Sequence, residues 1–588
     1  MCLHSVMFKL LASIETQLQL ITEPDSSISE KDKIGWNETT VVVLSGITNL
    51  LADYLDVVSS HATFSKSWQT LLDHFKVLLD FKVLNINTAV FKALRQILSK
   101  GNLRQSTQLN FDRHALDVAW GLWSHSLPVI EADPSSKRFD NQGYLTAYIS
   151  AVQEIYRLID GYIDDKRVKR LLTLLREAVQ QASAATYSAD IEYLTPLQTQ
   201  VLEALKMIRT DTEGIPAALV SQVAEFVGLA FEPRRLDSET EKPTYVAFAK
   251  ASMALSESLI IAHSSEKDIY TSGAISESLT ALAKPIVLKY AFPTITKSVS
   301  PWRQATTSSL EIMKSIIPII TRASYKDEVL RSIWSSIVTI ANGIMTADCS
   351  VIPRKSNIDI AADQDFDIAS FLILRDLITP SLGSPLIPDK ICRRYTECLF
   401  HTSLIHAPSP SELPSQGQDL LSVLSAPRKG HTIDPEPNRR SKMAYVALET
   451  LLSLVSVPLN KSNPSTPPRS RLRPTSETIK LAQASAPYLI LRCGLTLRAY
   501  IADQPLRGRM PQPLSQRREL LFILRSLVGL KCEPEAIPEV DGVESENKKH
   551  LIRLYPLLVK SVRVARGDEE VLEWIGRGLD GVGMEFGV

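Results

Sequence analysis

The chain has 588 residues, of which 44% are hydrophobic and 22% charged, and its 65 basic residues are balanced by 65 acidic residues. A single hydrophobic core stops growing at roughly 250 to 300 residues, so this length predicts several domains or a stack of repeats. The balanced charge excludes the global basic excess typical of nucleic-acid-binding proteins, and a content of only 23 glycines disfavours folds that depend on glycine-rich phosphate loops.

Six cysteines spread along the chain do not form the dense framework of a small disulfide-rich secreted domain. No stretch reaches the roughly 18 to 20 consecutive apolar residues that a membrane-spanning helix requires. The apolar residues 1–14 lack the charge order and cleavage site of a signal peptide, and they resemble a helix from a longer parent chain. The sequence therefore predicts a cytosolic protein that does not cross a bilayer.

Apolar side chains recur with a period near 3.6 residues from residue 36 onward, which predicts amphipathic helices. The first clear stripe consists of Phe64, Trp68, Leu71, Leu72, Phe75, Leu78 and Leu79. The next predicted helix starts near 85–88 and stops before Gly101, where a glycine favours termination. These two segments together predict a helical hairpin.

A second predicted hairpin covers residues 144–175. Its first helix carries apolar residues at Tyr144, Tyr148, Val152, Ile155, Tyr156 and Ile159, and its second carries Val168, Leu171, Leu172 and Leu175. The connecting turn at 161–165 is short enough to make the two helices antiparallel.

The strongest helix-start signal lies at residues 195–198. Thr195 can accept a hydrogen bond from an early backbone amide, and Gln198 can reach back to the amide of Thr195. Pro196 occupies the position where a missing amide costs nothing. We expect a helix to begin there and a further helix to open at Pro216.

Two stretches rich in Pro, Ser and basic residues interrupt the helical pattern, at 407–442 and 458–476. Such composition buries too little apolar surface to offset chain entropy, so both are predicted to be disordered. The predicted blocks are 1–35, an N-terminal helix and linker; 36–235, a helical-repeat block; 243–406, a second helical-repeat block; 407–476, a mostly disordered linker with one helix at 443–457; and 477–588, a C-terminal helical block.

Hairpins of roughly 40 to 50 residues cannot bury their apolar stripes alone, which favours stacking of successive hairpins. Alternation of the kind found in strands is not sustained along the sequence. The predicted fold is therefore all-α, an armadillo/HEAT-like α-solenoid of stacked helical hairpins with Pro/Ser-rich disordered loops. No repeat consensus is evident, so this prediction depends on helix content and length.

Two motifs of the sequence are similar to known cofactor-binding or metal-binding motifs. Residues 576–581 match the pattern GxGxxG, but they follow a predicted helix instead of a strand, so the glycines are interpreted as terminating that helix. Cys392, Cys398, His401 and His406 are the densest group of potential zinc ligands. The separation of the two cysteines exceeds the usual spacing, which favours ordinary helical residues.

Other residue types also have a structural and a functional interpretation. The segment 113–117 only superficially resembles a kinase catalytic loop. The tryptophans are interpreted as core anchors. Basic runs could contact an anionic membrane or lie in a solvated linker, and both alternatives stay open for 428–429, 439–440, 469–473 and 507–518. The sequence predicts no catalytic residue, cofactor or metal site, and no enzyme.

Four segments resemble the C-terminal part of fungal proteins of the Mon-two (Mon2) family. They are residues 63–98, 190–208, 520–538 and 548–588. That family consists of large cytosolic scaffolds on Golgi and endosomal membranes, similar to the large ARF guanine-nucleotide exchange factors but without their exchange domain. The shared motifs are packing patterns, not catalytic signatures.

The resemblance implies a non-catalytic scaffold in vesicle-mediated protein transport between Golgi and endosomes. It implies peripheral association with the cytosolic face of those membranes and no binding of nucleic acid. Implied partners are a Dopey-family protein, an ARF-like small GTPase and a phospholipid flippase. This chain lacks the family's long N-terminal regions, so it is expected to be a fragment or a truncated form.

Two further function classes are retained as alternatives. One is a helical-repeat adaptor that binds cargo peptides or RNA, of the nuclear-transport type, because helical arrays of similar composition do this. The other is an enzyme whose reactive residues are too dispersed in the sequence to recognise. A deep polar pocket with convergent, pKa-shifted groups would favour the enzyme.

Overall fold

A computed structural model describes residues 2–22, 29–101, 111–125, 140–183, 190–232, 244–291, 297–322, 325–352, 359–415, 418–457, 476–508, 510–537 and 547–586. These residues form α-helices, short 3-10 helices and loops, and one isolated β-bridge joins Ser456 and Cys532. They divide into two compact units, Met1–Ala274 with Thr294–Pro301, and Ile275–Pro293 with Trp302–Val588.

The helices of the first unit are α1 Cys2–Thr22, α2 Glu30–Asp53, α3 Leu55–Ser59, α4 Phe64–Asp80, α5 Leu84–Lys100, α6 Arg113–Ser124, α7 Gln142–Ile159, α8 Asp165–Gln180, α9 Pro196–Met207, α10 Ile215–Gly228, α11 Val246–Ala262 and α12 Asp268–Thr271. A short 3-10 helix, Leu229–Phe231, follows α10.

The helices of the second unit are α13 Ala274–Val287, α14 Pro301–Ile320, α15 Asp327–Met345, α16 Ile360–Leu382, α17 Asp389–Thr402, α18 Ser441–Val455, α19 Ser476–Asp503, α20 Leu514–Gly529, α21 Lys549–Val564 and α22 Glu569–Glu585. Its 3-10 helices are Cys349–Val351, Pro410–Glu412, Ser422–Leu424, Gln504–Arg507 and Pro534–Ala536.

The first unit is built from two layers of helices. Helices α1, α4, α6, α8 and α10 contact one another in chain order, and helices α2, α5, α7 and α9 do the same. The partners α1 and α2, α4 and α5, α6 and α7, and α8 and α9 also contact each other, so each pair is a hairpin that spans both layers. The prediction of an all-α fold of stacked helical hairpins is confirmed.

The second unit repeats this arrangement. Helices α15, α17, α19 and α21 contact in order, and α13 joins this layer through a hydrogen bond of 3.0 Å between the hydroxyls of Thr280 and Ser336. In the other layer, α14 meets α16 through the rings of Trp302 and Phe366, and α20 contacts α22. Because every inner helix has neighbours on both sides, its apolar stripe is wide and its charged surface is narrow.

The predicted stripes correspond to buried positions. All predicted positions of α4 from Trp68 to Leu79 are buried, as are those of α7 and α8. Five of the tryptophans interpreted as core anchors are buried, Trp68, Trp120, Trp123, Trp302 and Trp334, whereas Trp574 is only partly buried. The ring of Trp123 stacks on that of Tyr148 at 4.8 Å, and its Nε1 donates to the Tyr148 carbonyl at 3.0 Å. An aromatic ring whose N–H finds a partner can be buried at no polar cost.

The predicted capping box at α9 is confirmed. The amide of Gln198 donates to Thr195 Oγ1 at 3.2 Å, and the amide of Thr195 donates to Gln198 Oε1 at 3.0 Å. The following helix α10 starts after Gly214, whose φ of 88° lies in the left-handed region that glycine tolerates best. Local side-chain chemistry thus sets both helix starts.

The predicted disorder of 407–442 is wrong for its described residues, 407–415 and 418–442. They contain two 3-10 helices, and Glu412 and Arg440 are buried. Arg428 and Arg440, which the composition marks as solvated, pair with Asp503 of α19 and Asp367 of α16, and these ion pairs offset the entropy of ordering the segment. The helix predicted at 443–457 is observed at Ser441–Val455, and residues 458–475 lie outside the described part of the chain.

The observed division of the chain also differs from the predicted blocks. The two units meet in sequence at residues 274–301, not at 235–243. Helices α10 and α11, which flank the predicted boundary, pack against each other, so the charged stretch between them connects two neighbours within one unit. Residues 30–35, predicted as linker, belong to α2.

The glycines of the 576–581 motif lie inside α22, so their predicted role in ending a helix is wrong. A Cβ on Gly581 would lie 3.0 Å from Leu551 Cδ1, and one on Gly578 would lie 3.6 Å from Leu558 Cδ1. The glycines therefore permit close packing of α22 on α21. None of the described helices combines the length and apolar character needed to span a membrane.

The capping box gives a direct test of local helix stabilisation. Replacing Thr195 by Ala removes an acceptor for the Gln198 amide, so we expect the first unit to lose about 1 kcal/mol of stability. Thr173→Ala is the matched control, because that hydroxyl only bonds back to the Lys169 carbonyl within α8. Urea unfolding followed by circular dichroism measures both variants, and equal losses would contradict the assigned role of Thr195.

Candidate functional site

A concave region of the second unit, lined by several charged side chains, lies where the segment between α17 and α18 crosses α19. We call the described residues 403–415 and 418–440, between α17 and α18, the crossing segment. Two glycines allow its close approach: a Cβ on Gly430 would lie 2.3 Å from the Ala502 carbonyl, and one on Gly494 would lie 2.6 Å from Leu424 Cδ2. At Gly430 the backbone of the segment therefore lies against the backbone of α19, and at Gly494 the Leu424 side chain lies against the backbone of α19.

Arg428 fixes the crossing segment on α19. Its Nε pairs with Glu412 of the same segment, and its Nη1 donates to Asp503 Oδ1 at 2.8 Å. Asp503 also accepts from the amide of His431 at 2.8 Å. Burial alone would raise the pKa of Glu412, but the Ser409 amide and Arg428 hold it below its ordinary value. Glu412 is thus an ionised partner of Arg428, and Asp503 is the second carboxylate that binds this arginine.

A second buried network lies deeper, between α19, α20 and the start of the crossing segment. Arg492 is 1% exposed; its Nη2 pairs with Glu519, and its Nε donates to the Ser403 carbonyl at 3.1 Å. Burial opposes ionisation of Glu519, yet Arg492 and His406 together keep its pKa below the ordinary value. The ionised Glu519 accepts from His406 Nδ1 at 2.5 Å.

The two networks line one cavity of about 60 Å³, together with Arg498, Gln512 and Gln516. Typical small-molecule sites have roughly 300 to 1,000 Å³. Since one water needs roughly 10 to 15 Å³ of such volume, the cavity has room for a few waters. It contains convergent, pKa-shifted groups, but it is far too small for most organic substrates.

Ser515, His406 and Glu519 stand in the donor order of a Ser–His–acid triad. His406 Nε2 lies 3.1 Å from Ser515 Oγ, while Nδ1 faces Glu519. Ser515 does not line the cavity, so a substrate held there would not meet the hydroxyl. Glu519 is also paired with Arg492, which gives the carboxylate a packing role between helices. The geometry favours a structural hydrogen-bond network.

A third buried cluster joins α15, α16 and α18. Lys289 and Arg440 both bind Asp367 Oδ2, at 2.7 and 2.5 Å, and both donate to the Ile344 carbonyl near the end of α15. Burial lowers the pKa of Lys289 to about 8 despite the adjacent Asp367. Burial likewise raises the pKa of Asp367, which Lys289 and Arg440 oppose. Such a cluster specifies which helices pack together more than it adds net stability.

The potential zinc ligands do not converge. Cys392 is buried and its Sγ lies 2.9 Å from the Leu382 carbonyl, whereas His401 is exposed on the same helix. His406 faces Glu519 and Ser515 instead of the cysteines. Among the described residues, no group of three or more His, Cys, Asp or Glu side chains is arranged to hold a metal ion.

The basic runs divide in the structure. Arg428, Arg440 and Arg507 are held by carboxylates, and Arg517 pairs with Asp568 and Glu570. These arginines are therefore committed within the fold, which removes them from the membrane contact considered for the loops. The run 469–473 lies outside the described residues.

Sequence reasoning missed Arg492 and Glu519, the buried ion pair at the centre of the site. A signal was present: Arg492 interrupts the apolar run 489–495, and Glu519 directly precedes the apolar run 520–524. A charge inside an apolar stripe indicates a buried partner. The sequence does not reveal that the partner is on α20.

The Arg492–Glu519 pair can be tested by a double-mutant cycle. Arg492→Leu removes the arginine from a buried carboxylate and leaves it only its hydrogen bonds with His406 and Thr496, so we expect a loss of about 3 kcal/mol. Adding Glu519→Gln removes the uncompensated charge, so the double variant should lose less than the sum of the single losses. Urea denaturation gives the three values, and strict additivity would contradict the coupling.

The pH dependence of stability tests the ionisation of Glu519. Because its folded pKa is lowered, its stabilising contribution is complete above its unfolded pKa of about 4.3 and is lost as the pH falls through the folded value. Glu519→Gln should therefore flatten the loss of melting temperature below about pH 4.3. The exposed Glu449→Gln is the control and should leave the acid limb unchanged.

Comparison with known proteins identifies the family. The family described as "C-terminal region of Mon2 protein" matches residues 132–573, more than half of the chain. The Drosophila melanogaster Mon2 homologue is 20% identical, covering 89% of this chain and 33% of the relative. Saccharomyces cerevisiae Mon2 is 22% identical, covering 90% and 32%. The chain thus spans about a third of the length of these relatives.

Similar structures include two large helical proteins. A full-length AP-3 complex model gives a TM-score of 0.24 at 9% identity, covering 99% of this chain and 90% of that one. Importin13 in its cytosolic state gives 0.22 at 10% identity, covering 99% and 65%. Scores this low carry no argument about fold or function. The family is shown by the sequence match over residues 132–573: the chain belongs to the Mon2 family and carries the family's C-terminal region.

Proposed function

We propose that the chain is a non-catalytic scaffold in vesicle-mediated protein transport between Golgi and endosomes. It acts by binding protein partners at the cytosolic face of those membranes. The observation that carries this proposal is membership of the Mon2 family over residues 132–573. The chain spans about a third of its relatives, so its share of the whole protein's role is part of the proposal.

The geometry supports a binding role over a catalytic one. In the second unit, Arg428, Arg440 and Arg492 form ion pairs with carboxylates of neighbouring helices. The cavity lined by Arg428, Arg492 and Glu519 has a volume of about 60 Å³. A stacked array with such an interior offers its outer helix faces to other molecules, which is how helical-repeat proteins hold partners.

The proposed partners are a Dopey-family protein, an ARF-like small GTPase and a phospholipid flippase. Proximity labelling of the tagged full chain in cells tests this proposal, with the tag alone at matched expression as control. We expect enrichment of proteins at the cytosolic face of Golgi and endosomal membranes, these three classes among them. Enrichment of chromatin and nuclear-pore proteins instead would contradict the proposal and favour the nuclear-transport alternative.

The proposed absence of catalysis is tested at Ser515, whose hydroxyl lies 3.1 Å from His406 Nε2. A fluorophosphonate probe labels serines that an adjacent base has activated. We expect wild type and Ser515→Ala to show the same background labelling. Labelling of the wild type that disappears in both Ser515→Ala and His406→Ala would show an activated nucleophile and overturn the non-catalytic assignment.

A further inference from the structure

Helix α21 lies in a stretch of the chain that carries several basic residues and no acidic ones. Residues 547–567 contain no Asp or Glu. Their basic residues are Lys548, Lys549, Arg553, Lys560, Arg563 and Arg566. The basic side chains of such a stretch either form hydrogen bonds within the protein or form an exposed positive surface.

The structure divides these six residues into two groups. Lys548 donates to the carbonyls of Val528 and Leu530, and Lys549 donates to that of Pro534, so both anchor the start of α21. The remaining four, Arg553, Lys560, Arg563 and Arg566, are exposed and have no hydrogen bond or ion pair with any described residue. Their charge is available to another molecule.

Three of the four cations, Arg553, Lys560 and Arg563, share one side of α21, and Arg566 follows two residues after the helix ends. At about 100° per residue, the three helical cations fall within an arc of about 160° that also contains the exposed Tyr555 and Val559. The opposite arc carries the buried residues His550, Leu551, Leu554, Leu557, Leu558 and Ser561. We call the exposed arc, together with Arg566, the basic face of α21.

The nearest helix does not neutralise the basic face. On α22 and its N-cap, Asp568 and Glu570 are held by Arg517, and Glu573 pairs with Arg577. None of these carboxylates pairs with a residue of the basic face. Its positive charge is therefore not cancelled by the ion pairs that consume most other arginines of this region.

We propose that the basic face of α21 docks on an anionic lipid surface. Cations close to an anionic bilayer are attracted by its surface potential, and an exposed aromatic side chain beside them favours the interfacial region. Tyr555 and Val559 are 46% and 40% exposed, so apolar groups stand among the cations. The inference rests on the proposed function, because it names the membrane-contacting surface of that scaffold.

The spacing of the cations favours a membrane over an anionic peptide. From Arg553 to Arg563 the face extends about 15 Å at about 1.5 Å per residue, which is wider than a single lipid headgroup. A phosphate group on a peptide is recognised by arginines that converge on one point, usually with bidentate contacts. The basic face is a convex strip without such convergence, so a flat anionic surface fits it better.

The test measures binding of the purified full chain to vesicles. Phosphatidylcholine vesicles with and without roughly 30% phosphatidylserine provide anionic and neutral surfaces. We expect binding to the anionic vesicles only, weakened by added salt. Replacing Arg553, Lys560, Arg563 and Arg566 by Gln should weaken it at least about tenfold.

The control removes the same charge elsewhere. Lys166, Lys169, Lys314 and Lys390 are exposed, and replacing these four by Gln changes the net charge equally. Circular dichroism verifies that both quadruple variants keep their helices. We expect the control to bind anionic vesicles like the wild type. Equal weakening by both variants, equal binding to neutral vesicles, or no vesicle binding would each overturn the proposal.

Failure of this inference is distinguishable from failure of the proposed function. If the chain ignores vesicles but labels Golgi and endosomal proteins in cells, the function stands and the basic face is not a lipid site. If the chain does not bind vesicles and the quadruple Gln variant of the basic face loses the labelling of Golgi and endosomal proteins, the face binds an acidic protein. That result would contradict the lipid proposal. Vesicle binding combined with labelling of nuclear proteins would preserve the face and overturn the function.

Discussion

The structure depends on one constraint: a helix with an apolar stripe on both sides must have a neighbour on both sides. In each unit this constraint is met by two layers in which every second helix contacts the next, such as α5, α7 and α9, or α17, α19 and α21. Apolar burial contributes roughly 25 cal/mol per Å², so a wide stripe left in water would be costly. Stacking follows from sequence patterning without any single dominant contact.

Charge has two separate roles in the second unit. Inside, Arg428, Arg440 and Arg492 each bind carboxylates that lie far away in the sequence, so they determine which helices and which segment pack together. Such pairs serve specificity more than net stability, since desolvation offsets much of the attraction. Outside, Arg553, Lys560, Arg563 and Arg566 of the basic face have no side-chain partner among the described residues. A protein that pairs its interior charges and leaves one helix face positive is suited to holding surfaces together.

Local features could be predicted from the sequence because their causes are local. The apolar stripe of α4 and the capping box at Thr195 depend on residues within one or two turns. The order of the crossing segment could not be predicted, because Arg428 binds Asp503, 75 residues away, and His406 binds Glu519, 113 residues away. Composition marks these arginines as solvated, and only tertiary structure shows their partners. The basic face of α21 was not predicted: residues 547–567 contain no carboxylate, but only the structure shows which of their cations are exposed.

Hydrogen–deuterium exchange followed by mass spectrometry tests the central claim most directly, because it reports the opening free energy of each helix. The account predicts slow exchange for α7 and α19, which have neighbours on both sides, and protection of the crossing segment around Arg428 well above that of an unstructured peptide. Protection of α19 no greater than that of an isolated helix, together with full exchange of the crossing segment, would contradict it.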